Sequence, residues 1–283
     1  MQISISECTT YEASFDEDVA AYRAARADGI GIWEFKLPDG RDAESIATLK
    51  DAGLAASVCV PMVPSVYPDA YFAEPREPAA RVDALCAAVR RFAAFDPAAI
   101  LVVTGDPSDR DRAEMRRVTV DGLRTVADTA ADLGQTLGLE AYRATSGSLI
   151  STIPGMIDLA DEIDRPNVRL VVDTWHVWDD DGVFRDLERY ADRMVAVQVS
   201  DWRDPSRSWA DRLLPGDGVI DWENLFAALG RGGFGGWYDI EIFSDNGRFG
   251  NAWPDSIWSR EASEVAAAAM TKFGSLLAGR GNG

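Results

Sequence analysis

The sequence predicts a single (β/α)8 barrel that spans residues 1–283. Short β-rich segments alternate with segments whose apolar residues recur at helical spacing, and this alternation runs from one end of the chain to the other. No change of composition and no linker longer than an ordinary loop divides the chain. The length of 283 residues also suits such a barrel, which typically takes about 250 residues.

Eight segments are predicted as strands, each followed by a helical segment, and eight is the number that a closed barrel of this kind needs. They are Gln2–Ile5, Gly31–Lys36, Ala56–Val60, Ile100–Thr104, Leu137–Tyr142, Arg169–Asp173, Val195–Val199 and Trp237–Ile242. A doubly wound sheet is the alternative, but it usually has fewer strands and a glycine-rich phosphate turn after the first one. Residues 230–235 match the GxGxxG pattern, yet they follow a helix and precede a strand, so we interpret them as a loop.

Start and stop signals of the helices agree with the barrel. Ser14 with Glu17 predicts a capping box, Asp221 is placed to cap the start of a helix, and Gly53 follows a helical segment where a terminating glycine belongs. Residues 278–283, at the C-terminus, are expected to fray.

Composition and charge exclude several classes of protein. The chain has 47 acidic and 28 basic residues and a formal charge of −19, and no basic run offsets it, so we expect no nucleic-acid partner. No segment approaches the roughly 18 apolar residues of a membrane span. Three cysteines, Cys8, Cys59 and Cys86, argue against a disulfide framework. We therefore expect a soluble cytoplasmic protein with no membrane partner, and a homo-oligomer is left open.

Four polar residues each close an apolar strand run, at the ends of the fifth to eighth predicted strands: Glu140, Asp173, Gln198 and Glu241. In a barrel, these strand ends meet at one mouth. Three carboxylates there would repel unless they were protonated or bridged by a cation. Oxygen ligands favour a hard ion, so Mn²⁺ or Mg²⁺ is predicted, with Co²⁺ and Zn²⁺ as alternatives. Any one acid could instead cap a loop or pair with an arginine, but four polar residues in register on adjacent strands favour the metal.

His176 is the only histidine of the chain and lies three residues beyond Asp173. An isolated loop histidine is usually just exposed. Its place beside a predicted metal ligand favours a catalytic role, because imidazole titrates near neutral pH and can move a proton or hold an oxyanion. A single histidine also excludes a histidine-rich trinuclear zinc site.

Aromatic and basic residues in the loops after the sixth and seventh strands are candidates for substrate binding. Trp175 and Trp202 could stack on a sugar ring, and Arg203 and Arg212 could bind a substrate oxygen. The alternatives are that the tryptophans pack the loops together and that the arginines neutralise nearby aspartates.

Four motifs together resemble the sugar phosphate isomerase/epimerase family of xylose isomerase-like barrels. They are Val-Val-Asp173-Thr-Trp-His176, Val-Gln198-Val-Ser-Asp201, Leu-Pro-Gly216-Asp-Gly218-Val-Ile-Asp221 and Tyr-Asp-Ile-Glu241-Ile. The resemblance spans essentially the whole chain. It implies that Glu140, Asp173 and Glu241 hold the metal and that His176 lies near the substrate. Where the common pattern has a histidine ligand, this chain has Gln198, which is similar to the arrangement in dehydroshikimate dehydratases of the same superfamily.

The resemblance and the strand-end acids agree on proton abstraction next to a carbonyl that a metal polarises, with an enediolate intermediate. Glu140 and Glu241 would be the base and the acid. Reprotonation would give a sugar or keto-polyol epimerase or isomerase, and loss of a β-substituent would give a dehydratase or lyase. A non-catalytic sugar-binding barrel is disfavoured because binding needs no cluster of acids. An endonuclease-like barrel is disfavoured by the charge and by the single histidine.

Overall fold

Eight parallel strands close into a barrel in the computed structural model, which describes residues 1–68, 72–106 and 111–279. The strands are β1 (Gln2–Ser6), β2 (Gly29–Trp33), β3 (Ala55–Val60), β4 (Ala99–Val102), β5 (Leu137–Leu139), β6 (Val168–Asp173), β7 (Met194–Val199) and β8 (Trp237–Ile240). Each strand pairs with its neighbours in chain order, and β8 pairs with β1 to close the ring. The predicted barrel is confirmed.

One main helix follows each strand. The helices are α1 (Phe15–Ala24), α2 (Asp42–Ala52), α3 (Pro78–Phe92), α4 (Arg112–Asp132), α5 (Ile153–Ile163), α6 (Val183–Tyr190), α7 (Trp222–Arg231) and α8 (Ala262–Ala278). A one-turn helix, Thr174–Val177, directly follows β6, and the loop after β7 contains a two-stranded ladder of Asp201–Trp202 with Arg212–Leu213. Among the described residues, none of the helices combines the length and the apolar character needed to cross a bilayer.

The predicted helix signals are present. The Ser14 side chain accepts from the backbone N–H of Glu17, whose carboxylate accepts in return from Ser14, and Asp221 accepts from the backbone N–H of Asn224. Gly53 ends α2 with a φ of 71°, a left-handed conformation that suits glycine. Helix α8 continues through Ala278, the first residue of the expected frayed tail, whereas residues 280–283 lie outside the described residues.

Some predicted strands are too long at their carboxyl ends, where the chain turns out of the sheet. Strand β2 runs over Gly29–Trp33 and not over 31–36, because residues 34–36 form a 3₁₀ turn. The Lys36 ammonium fixes this turn, since it donates to the backbone carbonyls of Glu7 and Thr10. Strand β5 ends at Leu139, so the chain has already left the strand at Glu140.

Two apolar clusters fill the space inside and outside the barrel. The larger lies between the strands and the helices and includes Ile5, Val172 and Phe273. The smaller includes Val171 and Ala196, which share a strand face with Asp173 and Gln198 because side chains two residues apart point the same way. The inner face of the barrel therefore combines these apolar side chains with buried polar ones, such as Asp239, which accepts a hydrogen bond from Ser4.

Candidate active site

The four polar strand-end residues converge at the carboxyl end of the barrel. Glu140 and Glu241 directly follow β5 and β8, while Asp173 and Gln198 lie in β6 and β7, and none of the four is more than 4% exposed. The Gln198 Nε2 donates to Glu241 Oε1 at 2.8 Å. Among the described residues, the buried Gln198 Oε1 has no hydrogen-bond partner. Three buried carboxylates and an amide whose oxygen has no partner form a donor set that fits a hard divalent cation.

His176 completes this cluster, from the one-turn helix after β6. One ligand atom each of Glu140, Asp173 and His176 lies within 4.8 Å of the others, a grouping that could hold a metal ion. The backbone N–H of Arg143, however, donates to His176 Nδ1 at 3.1 Å. With Nδ1 an acceptor, a neutral ring carries its hydrogen on Nε2, which lies 3.6 Å from Asp173 Oδ2. The side chain is therefore arranged as a donor rather than as a metal ligand.

A buried guanidinium lies among the carboxylates. Arg212 Nη1 donates to Asp173 Oδ2 at 2.7 Å and lies 3.8 Å from Glu241 Oε2. The guanidinium is also held over the rings of Trp175 and Phe243, with its carbon 4.9 Å and 4.7 Å from their centroids. Arg212 thus supplies a fixed positive charge at the edge of the acidic cluster.

The loop after β7 that carries Arg212 is organised around Asp201. One carboxylate oxygen of Asp201 accepts from the backbone N–H of Ile220, and the other accepts from the backbone N–H of Gly216 and from Trp222 Nε1. Gly218 packs so closely that an added Cβ would lie 2.3 Å from the Trp202 carbonyl oxygen. The Gly216-Asp-Gly218 motif therefore folds the loop back over Asp201. The close packing of Gly218 explains why a glycine is present there.

Burial and mutual repulsion shift the pKa values of the cluster. Burial, followed by the charges of Asp173 and Glu241, raises the pKa of Glu140 well above its usual value. Burial and Asp173 raise the pKa of Glu241 to about 8, against the opposing effect of Arg212. Burial, aided by Arg212 and Arg143, lowers the pKa of His176 to about 3. At neutral pH the imidazole is neutral, and in the absence of a cation Glu241 favours its protonated form.

A cavity of about 510 Å³ opens above the cluster. We call its polar side the reactive floor: Glu140, His176, Arg212 and Glu241 line the cavity there, and the floor also includes Asp173 and Gln198, which contact Arg212 and Glu241. Another part of the lining is an aromatic wall, formed by Tyr11, Trp33, Phe35, Trp209, Phe243 and Phe249. The wall comes mainly from the loops that follow β1, β2 and β8.

The residues predicted for substrate binding occupy different positions. Trp175 and Arg212 line the cavity. Trp202 packs against Trp175, with ring centroids 4.7 Å apart and ring planes tilted at 40°, and is not among the described residues that line the cavity. Arg203 donates to Asp211 at 3.0 Å and to Asp255 at 2.7 Å, the neutralising role that was the alternative. The roles of all four in binding substrate stay predictions.

Two residues that the sequence reasoning did not single out support the floor. Arg143 holds His176 through its backbone and is itself held by a two-pronged ion pair with Asp179. Ser6, at the end of β1, lies 3.2 Å from Glu241 Oε1. Ser6 ends a strand in which serine and isoleucine alternate, so it lacks the apolar run that marks the predicted residues, and Arg143 is recognisable only by its closeness to Glu140.

A family profile described as a xylose isomerase-like TIM barrel matches residues 19–269. The chain belongs to this family. The predicted resemblance is therefore confirmed, and the curated relatives are enzymes. An inosose dehydratase of Erwinia tasmaniensis is 30% identical over 159 residues, which cover 48% of this chain and 50% of that protein. A D-psicose 3-epimerase of Enterocloster bolteae is 28% identical over 122 residues, which cover 43% of this chain and 38% of that protein.

The solved structures extend the likeness in fold along the whole barrel. A crystal structure described as the IOLI protein with a bound zinc atom matches all of this chain and all of its own, with a TM-score of 0.80 at 17% identity. By contrast, the chain spans only about half the length, or less, of the curated relatives above. This xylose isomerase-like barrel thus shares a fold with many enzymes, and its own activity must be argued from its site.

Proposed function

We propose that this protein is a divalent-metal-dependent isomerase or epimerase of a keto-sugar or keto-polyol. The observation that carries the proposal is the pair of buried glutamates, Glu140 and Glu241, at the end of one cavity with Asp173 and Gln198 between them in strand order. Sugar epimerases and isomerases among the relatives, such as the D-psicose 3-epimerase and a 2-oxo-tetronate isomerase, support this class of substrate.

Four residues of the floor would hold the metal: the carboxylates of Glu140, Asp173 and Glu241, and the orphaned Oε1 of Gln198. Each Asp173 oxygen accepts one hydrogen bond, from Trp175 N and from Arg212, which leaves lone pairs for a cation. When bound, a divalent ion would supply Lewis acidity that polarises a substrate carbonyl. The oxygen donors favour Mn²⁺ or Mg²⁺, although the bound zinc of the IOLI protein keeps Zn²⁺ as an alternative.

The chain's own groups would move and hold the protons. One glutamate removes the proton next to the carbonyl, and the other returns a proton, so that Glu140 and Glu241 act as the base and acid. The neutral His176 keeps its Nε2–H directed toward the floor, where it can donate to a substrate oxygen that gains negative charge. Arg212 adds a positive charge at the same edge.

A dehydratase is the second candidate function, and Gln198 favours it. The neutral amide replaces a histidine ligand, as in the dehydroshikimate dehydratases that the sequence resembles, and inosose dehydratases are among the matched relatives. The first step is the same proton abstraction, but a hydroxyl on the neighbouring carbon then leaves as water. The two functions therefore differ only after the enediolate has formed.

The test is proton exchange in D₂O. The Mn²⁺-loaded protein is incubated with a panel of keto-sugars, inososes and dehydro-acids, and proton NMR follows the signal next to each carbonyl. Loss of that signal with recovery of an epimer or isomer supports the leading function, and appearance of an alkene proton supports the dehydratase. Exchange should cease after chelation and return with metal. Full activity in the chelated protein, or no exchange in any ketone, would contradict the proposal.

A further inference from the structure

Apolar side chains are unusually exposed around the cavity. Phe35, Met62 and Phe249 line it and are 37%, 54% and 39% exposed. They are three of the six large apolar side chains with such exposure in the described part of the chain. Isolated exposed apolar residues need no explanation, but a concentration of them at one concave site marks a surface that binds something apolar.

The rings of the aromatic wall are held in place by one another. Phe249 meets Trp209 edge to face, with centroids 5.0 Å apart, and Phe35 lies 5.2 Å from Tyr11. Tyr11 in turn stacks at 4.6 Å on the buried Trp258. Because the inner rings are anchored, the outer rings form a preorganised apolar surface rather than a set of loose side chains.

Phe243 joins this wall to the reactive floor. Its ring lies 5.3 Å from Trp209 and 5.8 Å from Trp33, and it also contacts the Arg212 guanidinium, 4.7 Å away. A ligand that reaches Glu241 therefore has an apolar surface directly beside it. The two surfaces belong to one cavity of about 510 Å³, within the range of roughly 300–1,000 Å³ that proteins use for drug-sized ligands.

A free keto-sugar matches only one of these two surfaces. Each of its carbons carries an oxygen, and the floor offers charged and polar groups for such oxygens. One flat aromatic face can stack on the C–H patch of a sugar ring, but the wall presents several rings tilted at 39° to 77° to one another. Hydroxyls directed at the faces of these rings would lose water without gaining hydrogen bonds, which costs free energy. Arg248, which lies over the ring of Tyr11, is a charged group of the same lining.

We propose that the substrate is a keto-sugar that carries an apolar substituent of about the size of an aromatic ring. The sugar lies on the reactive floor and the substituent against the aromatic wall. This inference rests on the proposed function for the sugar half of the ligand, whereas the wall itself argues for the substituent. It names the substrate class more narrowly than a free sugar.

The test compares methyl and phenyl 3-keto-β-D-glucoside, which share a ketone and differ only in the substituent. Calorimetry on the Mn²⁺-loaded protein should show the phenyl compound binding about 10- to 100-fold more tightly, as expected for burying one ring. Phe35→Ala and Phe249→Ala should remove most of that preference. Leu133→Ala, which truncates an equally exposed apolar residue outside the cavity, should leave it intact.

The failures of this inference and of the proposed function are distinguishable. Equal binding of the two compounds, or binding of neither, overturns the inference, as does a phenyl preference that survives both phenylalanine variants. If sedimentation shows a dimer that the same two variants dissociate, a second copy covers the wall and the inference is wrong. A phenyl preference without proton exchange in D₂O supports the inference and contradicts the proposed function. Proton exchange without a phenyl preference supports the proposed function and contradicts the inference.

Discussion

The two sides of the cavity are built in different ways. The four strand-end residues of the reactive floor lie at or directly beyond the carboxyl ends of β5 to β8, and they are buried, with short polar contacts from Gln198 to Glu241 and from Arg212 to Asp173. The aromatic wall comes mainly from loops, and two of its rings, Phe35 and Phe249, are more than a third exposed. The barrel therefore fixes the chemistry on its strands and leaves recognition to segments that can vary without disturbing the sheet.

The largest effect should come from the two glutamates of the floor. Glu140→Gln and Glu241→Gln each keep the shape of the side chain but remove its ability to take and return a proton. We expect each to slow proton exchange by about 10²- to 10⁴-fold, the contribution typical of general acid–base catalysis. Exchange in D₂O, followed by proton NMR, measures it.

Glu34→Gln is the matched control for these two substitutions. Glu34 follows β2 and pairs with Arg91, and it is not among the described residues that line the cavity. Glu34→Gln should change the exchange rate by less than a factor of a few. A comparable loss in all three variants would show that the effect is on folding and not on proton transfer.

Sequence alone could predict the strand-end residues of the floor because each closes an apolar run, and successive side chains of a strand alternate between its two faces. That pattern places Asp173 and Gln198 on the inner face, and closure of the barrel brings them together. The sequence does not predict which residues form the aromatic wall. An aromatic residue in a loop has the same composition signal whether it packs against its neighbours, as Trp202 does, or faces a cavity, as Trp209 does.

Two arginines of the loop after β7 also show that sequence patterns do not predict the partners of a side chain. Arg203 and Arg212 lie in one loop and are equal candidates by sequence, but only the fold of that loop decides their partners. Arg212 lies in the short two-stranded ladder, and its guanidinium donates to Asp173. The Arg203 guanidinium donates to Asp211 instead. Long-range contacts such as these depend on how the loop packs, and local patterns do not encode them.

The second prediction concerns His176. Its Nε2–H is placed to donate to a substrate oxygen, so His176→Ala should lower turnover by about 10- to 150-fold, the range for losing a hydrogen bond to a charged group. Elemental analysis should find the metal content unchanged, because the histidine acts as a donor. His176→Gln, which keeps a donor, should recover part of the rate. Loss of metal from His176→Ala would show that the imidazole is a ligand.

The third prediction separates two roles of Gln198. If its Oε1 binds the metal, Gln198→Ala should weaken metal binding by about 10- to 100-fold, since three anionic ligands remain. Gln198→His should shift the preference toward Zn²⁺ or Co²⁺, because imidazole is a softer ligand. Calorimetric titrations of the three forms measure both effects. The same affinity and the same preference in all three would mean that Gln198 serves only through its hydrogen bond to Glu241.

The smallest effect should come from the contact that links the two sides of the cavity. Trp33, a ring of the aromatic wall, donates through Nε1 to Ser6 Oγ at 2.9 Å. The Ser6 hydroxyl in turn lies 3.2 Å from Glu241 Oε1 and can donate to it. Cys8 Sγ is a weaker alternative acceptor for the same hydroxyl. Ser6→Ala removes one neutral donor from the carboxylate, so we expect proton exchange to slow by only about 2- to 10-fold. Ser57→Ala, which deletes a buried barrel hydroxyl near Asp239 instead, should leave the rate unchanged. If the exchange rate of Ser6→Ala were as unchanged as that of Ser57→Ala, the wall would act on substrate binding alone. If the rate fell as far as in Glu241→Gln, Ser6 would take part in the proton transfer itself.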